Sequence, residues 1–389
     1  MQSESHTSAN TGKPLNVYVC SPFGTAGKGG IDRLVDSIFM QSRHEPDLRL
    51  TRLTTRGRML IGSLLYLPLA MARLILARAT DRIDVLHVNL ASYGSTYRKI
   101  ALCGIASLLN IPYVVHLHGA EYRDFWGAAP KWLRHYIRRM FCRAHSIIAL
   151  GTVWRDFIAE IAPSAISRIE VLPNASLPRA HGRAEKTETE PVRIVFTGQL
   201  GTRKGTPELV EALRRIGDDG TWQSVLAGDG DIESTRSLVA DAGLSGCVDI
   251  TGWLDEHSID AELARADVLV LPSHAENLPM SVIEGMAHGL AIITTPVGAI
   301  GDIIKHERTG LLVAAGDADG LCAAIKSVIA NPALRREIGT NARAFHAAHL
   351  AFPGYLHRLS NIWLAAAGEG KPIISARAME TKPQQAPRR

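Results

Sequence analysis

The sequence predicts two α/β domains, each a parallel sheet wrapped by helices. Three observations carry this. Short apolar runs alternate with longer amphipathic stretches along most of the chain, the pattern of parallel strands covered on both faces. Each half opens on the same unit of strand, glycine loop and helix: NVYVC then SPFGTAGKGG from Asn16, and RIVFT then GQLGTRKG from Arg193. Between the halves lies a polar, proline-bearing, charged segment, 176–190, that reads as a linker. At 389 residues and 46% hydrophobic content the chain is long enough for two cores, and few aromatics with many glycines favour α/β over a β-sandwich. The expected division is a polar tail over 1–14, a first domain over 15–175, the linker 176–190 and a second domain over 191–350. A helix over 351–367, packing back on the first domain, and a Pro/Lys/Gln-rich tail over 368–389 complete it.

Charge is uneven. Residues 1–185 hold 23 Lys/Arg against 13 Asp/Glu, and the remainder 20 against 25. A basic half suggests an anionic partner. No aromatic-interleaved basic motif supports nucleic acid, so a membrane surface or a polyprenyl diphosphate fits better. The five cysteines (20, 103, 142, 247, 322) show no CxxC and no Cys/His cluster, and read as reduced core thiols of a cytosolic protein with no metal site. MQSESHTSANTGK lacks the apolar core of a signal peptide, and no apolar run reaches the roughly 18 residues that cross a bilayer.

In chain order, the strand Asn16–Cys20 leads into Gly24, Gly27, Gly29 and Gly30, then a helix with Ile31, Leu34, Val35 and Ile38 inward. The loop is a phosphate or substrate-approach loop, or a tight turn; it matches no standard nucleotide fingerprint. Met59–Ala72 is the most apolar segment, flanked by arginines and interrupted by Pro68, which should kink it; it is a buried helix or one lying in a membrane interface. Asp84–Asn89 delivers His87 and Asn89 to a strand end, where ligands of open α/β sheets gather. Tyr113–Leu117 delivers HLHGAEYRDFW. His118, just before a glycine, is placed for function, His116 is expected on the opposite face in a structural role, and Glu121 is the acid able to reach the same crevice. Pro130–His145 is an amphipathic helix with Trp132, Tyr136 and five cations, either an ordinary solvated face or a membrane-facing one. Ser146–Leu150 and Arg168–Leu172 are further strands.

The second domain opens at Val192. Arg203 and Lys204 sit in its glycine loop, with Gly198, Gly201 and Gly205, and two cations there would neutralise a diphosphate. GDGD at 228–231 resembles a DxD metal motif but reads as a turn into a helix. After Val248–Trp253 and Ala266–Leu271 comes the most informative stretch, SHAENLPMSVIEGMAHGLAIITT from Ser273. Pro279 marks a first helical turn. Glu276 precedes that helix and Glu284 lies about one and a half turns inside it. A helix N-terminus attracts phosphate, and carboxylates on either side of it suit sugar and ribose hydroxyls. Thr309–Val313 is a last strand, and helices over Asp317–Ala330, Pro332–His349 and Phe352–Ala367 follow.

GQLGTRKG, LAGDGD, ENLPMSVIE, GLAIITTPVGAIGD and TGLLV, in this order over about 192–331, resemble the motifs of glycosyltransferase family 4. The likeness in the first half rests on the glycine loop at 27–30 and on His118-Gly119. It implies two Rossmann-like domains facing across a cleft (GT-B), and retaining, metal-independent transfer of a hexose without a cofactor. The donor would be a nucleotide sugar, UDP or GDP based, and the acceptor a lipid-linked or saccharide one. The setting implied is exopolysaccharide or other cell-surface glycan assembly, in the cytoplasm or peripherally on the inner face of the membrane. Carried over by position, Glu284 would hold the ribose and Glu276 the donor sugar. Backbone N–H groups of Asn277, Leu278 and Met280 would meet the diphosphate, with Gly29, Gly30 and Gly198 beside it. Lys204 would neutralise the leaving group and His118 face the sugar. Gln199 stands where the family has an arginine, a charge that Arg203 is expected to supply, and Asp302 where it often has a glutamate. An epimerase of the same fold is the second reading, and an inactive membrane scaffold the third.

Overall fold

The computed structural model describes residues 13–21, 29–56, 60–179 and 190–368. The loop positions Gly24 and Gly27, most of the expected linker, Met59 and the two tails lie outside these residues, apart from Lys13, Pro14 and Gly368.

The first sheet contains β1 (Leu15–Ser21), β2 (Leu48–Thr54), β3 (Val85–Leu90), β4 (Tyr113–Leu117), β5 (Ser146–Ala149) and β6 (Ile169–Val171). All pair in parallel, in the order β2-β1-β3-β4-β5-β6. β2 is the strand that sequence periodicity does not reveal: in LRLTRLT the leucines are interrupted by Arg and Thr, of which Arg49 and Thr51 are exposed, as suits an edge strand. The connecting helices α2 (Leu60–Ala79), α3 (Gly94–Leu108), α4 (Tyr122–Ala128), α5 (Lys131–Arg143) and α6 (Thr152–Ile161) follow the strands. Ala70, Leu74, Leu102, Cys103, Leu133, Ile137, Phe157 and Ile158 from these helices share one core with Leu86, Val88, Val115 and Leu117 of the sheet. α2 continues helically through Pro68 and beyond the expected end at Ala72.

The other face meets α1 (Gly30–Gln41) and the last helix of the described chain, α14 (Phe352–Ala367). Val17, Val19, Val85 and Val114 pack there on Leu34, Val35, Phe352, Leu359 and Trp363. Strand alternation sorts these sets: odd positions of β1 and β3 and even positions of β4 face α14.

The second sheet contains β7 (Val192–Thr197), β8 (Trp222–Ala227), β9 (Val248–Gly252), β10 (Val268–Leu271), β11 (Ala291–Thr294) and β12 (Leu311–Leu312). Its order is β12-β11-β10-β7-β8-β9, again all parallel. α7 (Thr206–Ile216), α8 (Ile232–Asp241), α9 (Glu256–Arg265), α10 (Met280–His288), α11 (Ile300–Ile303), α12 (Ala318–Ala330) and α13 (Pro332–His349) surround it. After α13 the chain returns: Phe352 N–H donates to Ser176 O at 3.0 Å, and α14 lies on the first domain. The two domains also touch where Asp302 accepts from Thr152 N–H (2.6 Å) and Thr152 Oγ1 (2.8 Å), capping α6 from the opposite domain.

Candidate functional site

In the second sheet β7 and β10 are neighbours from which strand order runs in opposite directions. Loops leaving such a pair diverge and open a crevice at the carboxyl ends of the strands, the place where open α/β sheets bind ligands. The loop after β7 carries Gly198, Arg203 and Lys204, and the loop after β10 carries Glu276.

Gly205 adopts left-handed backbone (φ +73°), and a Cβ there would run into the carbonyl of Pro272, so only glycine lets the two loops close on each other. The stem of Lys204 runs past Gly198, whose Cβ, if present, would be 3.6 Å from Lys204 Cε. Lys204 Nζ ion-pairs with Glu276 Oε1, which also accepts from Ser273 Oγ at 2.9 Å. Only 13% and 8% of the two side chains remain exposed, a pair held mostly out of water. Arg203 Nη1 donates to Ala275 O at 3.3 Å, and Arg203 O accepts from His274 N–H at 2.9 Å. Both cations therefore converge on the segment that carries Glu276.

α10 starts at Met280 behind Pro279, so its first-turn N–H groups have no partners within the helix. Opposite stands α1, which begins at Gly30 behind Gly29. A Cβ on Gly30 would lie 3.2 Å from Met280 Cγ: two helix N-termini from different domains meet head to head. Their positive dipole ends and Lys204 make the region attractive to an anion. Asp32, in the first turn of α1, is a buried countercharge whose carboxyl is pushed up to about 6 mainly by burial. Asn277 Nδ2 donates to Leu117 O at 3.2 Å, and Leu278 O accepts from Asn174 Nδ2 at 3.0 Å. These bonds tie the start of α10 to the first domain.

Glu284 faces Arg33 of α1, with Nη1 to Oε1 3.3 Å, across the domain boundary. Burial pushes the Glu284 carboxyl up, and Arg33 opposes that shift. Beside them Arg179 pairs with Asp260 (2.8 Å), which also meets His288 Nε2 (2.8 Å). Arg33, Arg179, Asp260, Met280 and Glu284 line one depression.

His118 follows the end of β4, 7% exposed, with Nε2 2.9 Å from Asn89 Oδ1. The expectation for His116 needs correcting. Residues two apart in a strand share a face, and its ring lies 4.0 Å from that of His118. His116 is buried, and neither ring nitrogen has a hydrogen-bond partner among the described residues. His87 faces α14, accepting from Trp363 Nε1 at 3.0 Å. Glu121, partly buried at the start of α4, accepts from Phe125 N–H at 3.0 Å through its carbonyl, while its carboxylate makes no hydrogen bond among the described residues.

Arg33, Asn174, Arg179, Asp260 and Trp363 are site residues that sequence reasoning does not single out. Each acts across a domain boundary or from a distant element, and no local pattern marks it. Only Arg33, three residues past the glycine pair, carried a signal: a cation in the first turns of a helix, where the dipole disfavours it.

Two six-stranded parallel sheets wrapped by helices, with loops of one domain meeting the other at a switch point, define a GT-B architecture. Residues 26–175 match the family described as glycosyl transferase 4-like domain, and residues 179–345 the one described as glycosyl transferases group 1. The chain belongs to these two-domain glycosyltransferases, of family 4 type, and is an enzyme of glycosyl transfer. It is 27% identical over 302 residues to glycogen synthase of Mycobacterium tuberculosis, covering 75% of this chain and 71% of that protein. It is 24% identical over 273 residues to the putative colanic acid biosynthesis glycosyltransferase WcaL of Escherichia coli, covering 60% and 66%. HepE of Anabaena, solved with UDP-glucose, superposes with a TM-score of 0.72 at 14% identity, covering 90% of this chain and all of that one (100%).

Proposed function

We propose that this enzyme moves a sugar from a nucleotide-sugar donor to a lipid-linked or saccharide acceptor, with retention at the anomeric carbon and without a metal. The observation that carries the reading is the meeting of two helix N-termini and Lys204 at the switch point, flanked by Glu276 on one side and Glu284 on the other. A diphosphate between them would find free N–H groups and a fixed ammonium. Glu284, partly buried beside Arg33, would hold ribose hydroxyls, and Glu276 those of the sugar. The bond from the anomeric carbon to the diphosphate oxygen breaks as the acceptor oxygen bonds on the same face. The acceptor proton passes to the departing phosphate oxygen. Lys204 and the dipoles stabilise charge on that leaving group, electrostatic work that a bound divalent ion does elsewhere. The relatives' printed roles, in glycogen and colanic acid synthesis, support a glycan acceptor, and the UDP-glucose bound by HepE supports a uridine donor.

A panel of UDP and GDP sugars, with free UDP and GDP as competitors, tests the reading; no binding and no transfer with any would overturn it. Within that panel Glu284→Ala should weaken nucleotide binding by about ten- to a hundredfold, the worth of charged hydrogen bonds, while kcat changes little. A fall in kcat at unchanged affinity would remove the ribose role.

Association with the inner face of the membrane is part of the proposal. α2, α3 and α5 pack side by side over the first sheet. They carry two, two and five Lys/Arg, and no Asp or Glu. Outside the core they expose Leu65, Leu69, Leu76, Tyr97, Trp132 and Tyr136. In α2 the exposed leucines recur at helical spacing opposite Ala70, Leu74 and Ala77, so the helix is apolar on both sides. Apolar stripe, aromatic edge and cations together suit an anionic bilayer surface. No described helix is long and apolar enough to cross a membrane. The protein should sediment with anionic vesicles at low salt, and Leu69→Glu with Leu76→Glu should abolish this. Absence of binding by the unaltered protein would sink the idea.

A further inference from the structure

His118 stands at the end of a hydrogen-bonded chain that starts on α14. Donor and acceptor roles along it are forced by groups that can act in one way only. Trp363 Nε1–H can only donate, so His87 Nδ1, 3.0 Å away, is the acceptor and holds no proton. Burial drives the His87 pKa down to about 4, so the ring is neutral and its proton sits on Nε2. That nitrogen lies 3.3 Å from Asn89 Oδ1. The orientation of the Asn89 amide is independently set, because Nδ2 lies 3.0 Å from the carbonyl of Cys20, which can only accept. Oδ1 therefore turns to both histidines and accepts from each. His118 Nε2, 2.9 Å from the same oxygen, must then carry a proton too. With its pKa also lowered by burial, to about 3, His118 is neutral, and Nδ1 keeps a free lone pair.

We propose that Trp363, through His87 and Asn89, fixes the tautomer of His118, so that Nδ1 is presented as a hydrogen-bond acceptor to a hydroxyl of the transferred sugar. The proposal rests on the reading that His118 faces the donor sugar. Trp363, His87 and Asn89 are positioning residues. The last helix of the described chain, packed on the face of the sheet that carries His87, thereby sets the chemistry of a group at the strand ends. A neutral acceptor nitrogen selects a hydroxyl and disfavours a carboxylate, whose oxygens accept but cannot donate; neutral hexoses are favoured over uronic acids at this position.

Nitrogen-15 NMR of the full chain with labelled histidine tests the tautomers without any ligand. Both His87 and His118 should show pyrrole-type Nε2 and pyridine-type Nδ1; the opposite assignment of His118 overturns the proposal. Trp363→Phe keeps the ring and removes the donor, and should release His87 from its tautomer. His87→Gln keeps an N–H for Asn89, whereas His87→Phe does not. With the best donor of the panel, His87→Phe should lower kcat about tenfold, the effect of one buried unmatched polar group, with donor KM nearly constant. His87→Gln should recover most of it. Equal losses in the two His87 variants, or unchanged tautomers in Trp363→Phe, would overturn the relay. If the tautomers are as stated but His118→Ala transfers at the normal rate, the relay stands as structure and the sugar contact of His118 fails.

Discussion

Lys204→Ala should lower turnover about a hundred- to a thousandfold, the loss seen when one preorganised donor to a developing anion is removed. Nucleotide affinity should fall less, because the N–H groups of α10 still meet the phosphates. The side chain has a second role that must be separated from the first. Its partner Glu276 is 8% exposed and keeps only Ser273 Oγ when the ammonium is gone. Removing one partner of a buried ion pair costs about 3–5 kcal/mol, since the other charge is left uncompensated. Lys204→Ala combined with Glu276→Gln relieves that charge and retains the serine bond. If stability returns in the double variant while its turnover stays far below that of Glu276→Gln alone, the loss belongs to Lys204 and is catalytic. If turnover returns with stability, Lys204 is a structural cation and the leaving-group role falls.

Gly298→Ala should both destabilise the protein and abolish most activity, although residue 298 touches no ligand in the proposed mechanism. Gly298 is left-handed (φ +59°), and a Cβ there would run into the carbonyl oxygens of Glu276 and Asn277. Ala299 N–H holds the Asn277 carbonyl at 2.7 Å, so the two segments have little room to part. Left-handed strain and overpacking together are worth about 2–5 kcal/mol. The movement that relieves them displaces Glu276 and the start of α10, where misplacement of about 1 Å costs roughly a hundredfold in rate. Thermal unfolding and steady-state turnover check this. An alanine variant with unaltered melting and rate would show that the loop yields, and that Glu276 is not held by Gly298.

Local chemistry explains which parts were legible beforehand. Two α/β domains could be read because parallel strands buried on both faces are uniformly apolar, and because glycine loops follow the first strand of each. The positions of Glu276, Arg203 and Lys204 in loops, and of Glu284 just beyond the first turn of α10, were legible because their glycine, proline and charge pattern is confined to a few residues. β2 escaped because this edge strand interrupts its leucines with Arg and Thr and so loses the apolar signal. His116 was misassigned for a narrower reason: its parity with His118 puts both on one face, whatever their roles.

What the sequence by itself determined is the set of elements and the short motifs at their ends, since helix starts, tight turns and strand burial are properties of neighbouring residues. The tertiary structure alone decided the partnerships: Arg33 with Glu284 across the domain boundary, Asn174 on the carbonyl of Leu278, Gly298 against Glu276, and Trp363 behind His118. These depend on the strand order of two sheets and on the return of α14 to the first domain. Strand order and chain return bring together residues separated by up to 276 positions, and no periodicity within either segment records which distant partner the fold will supply.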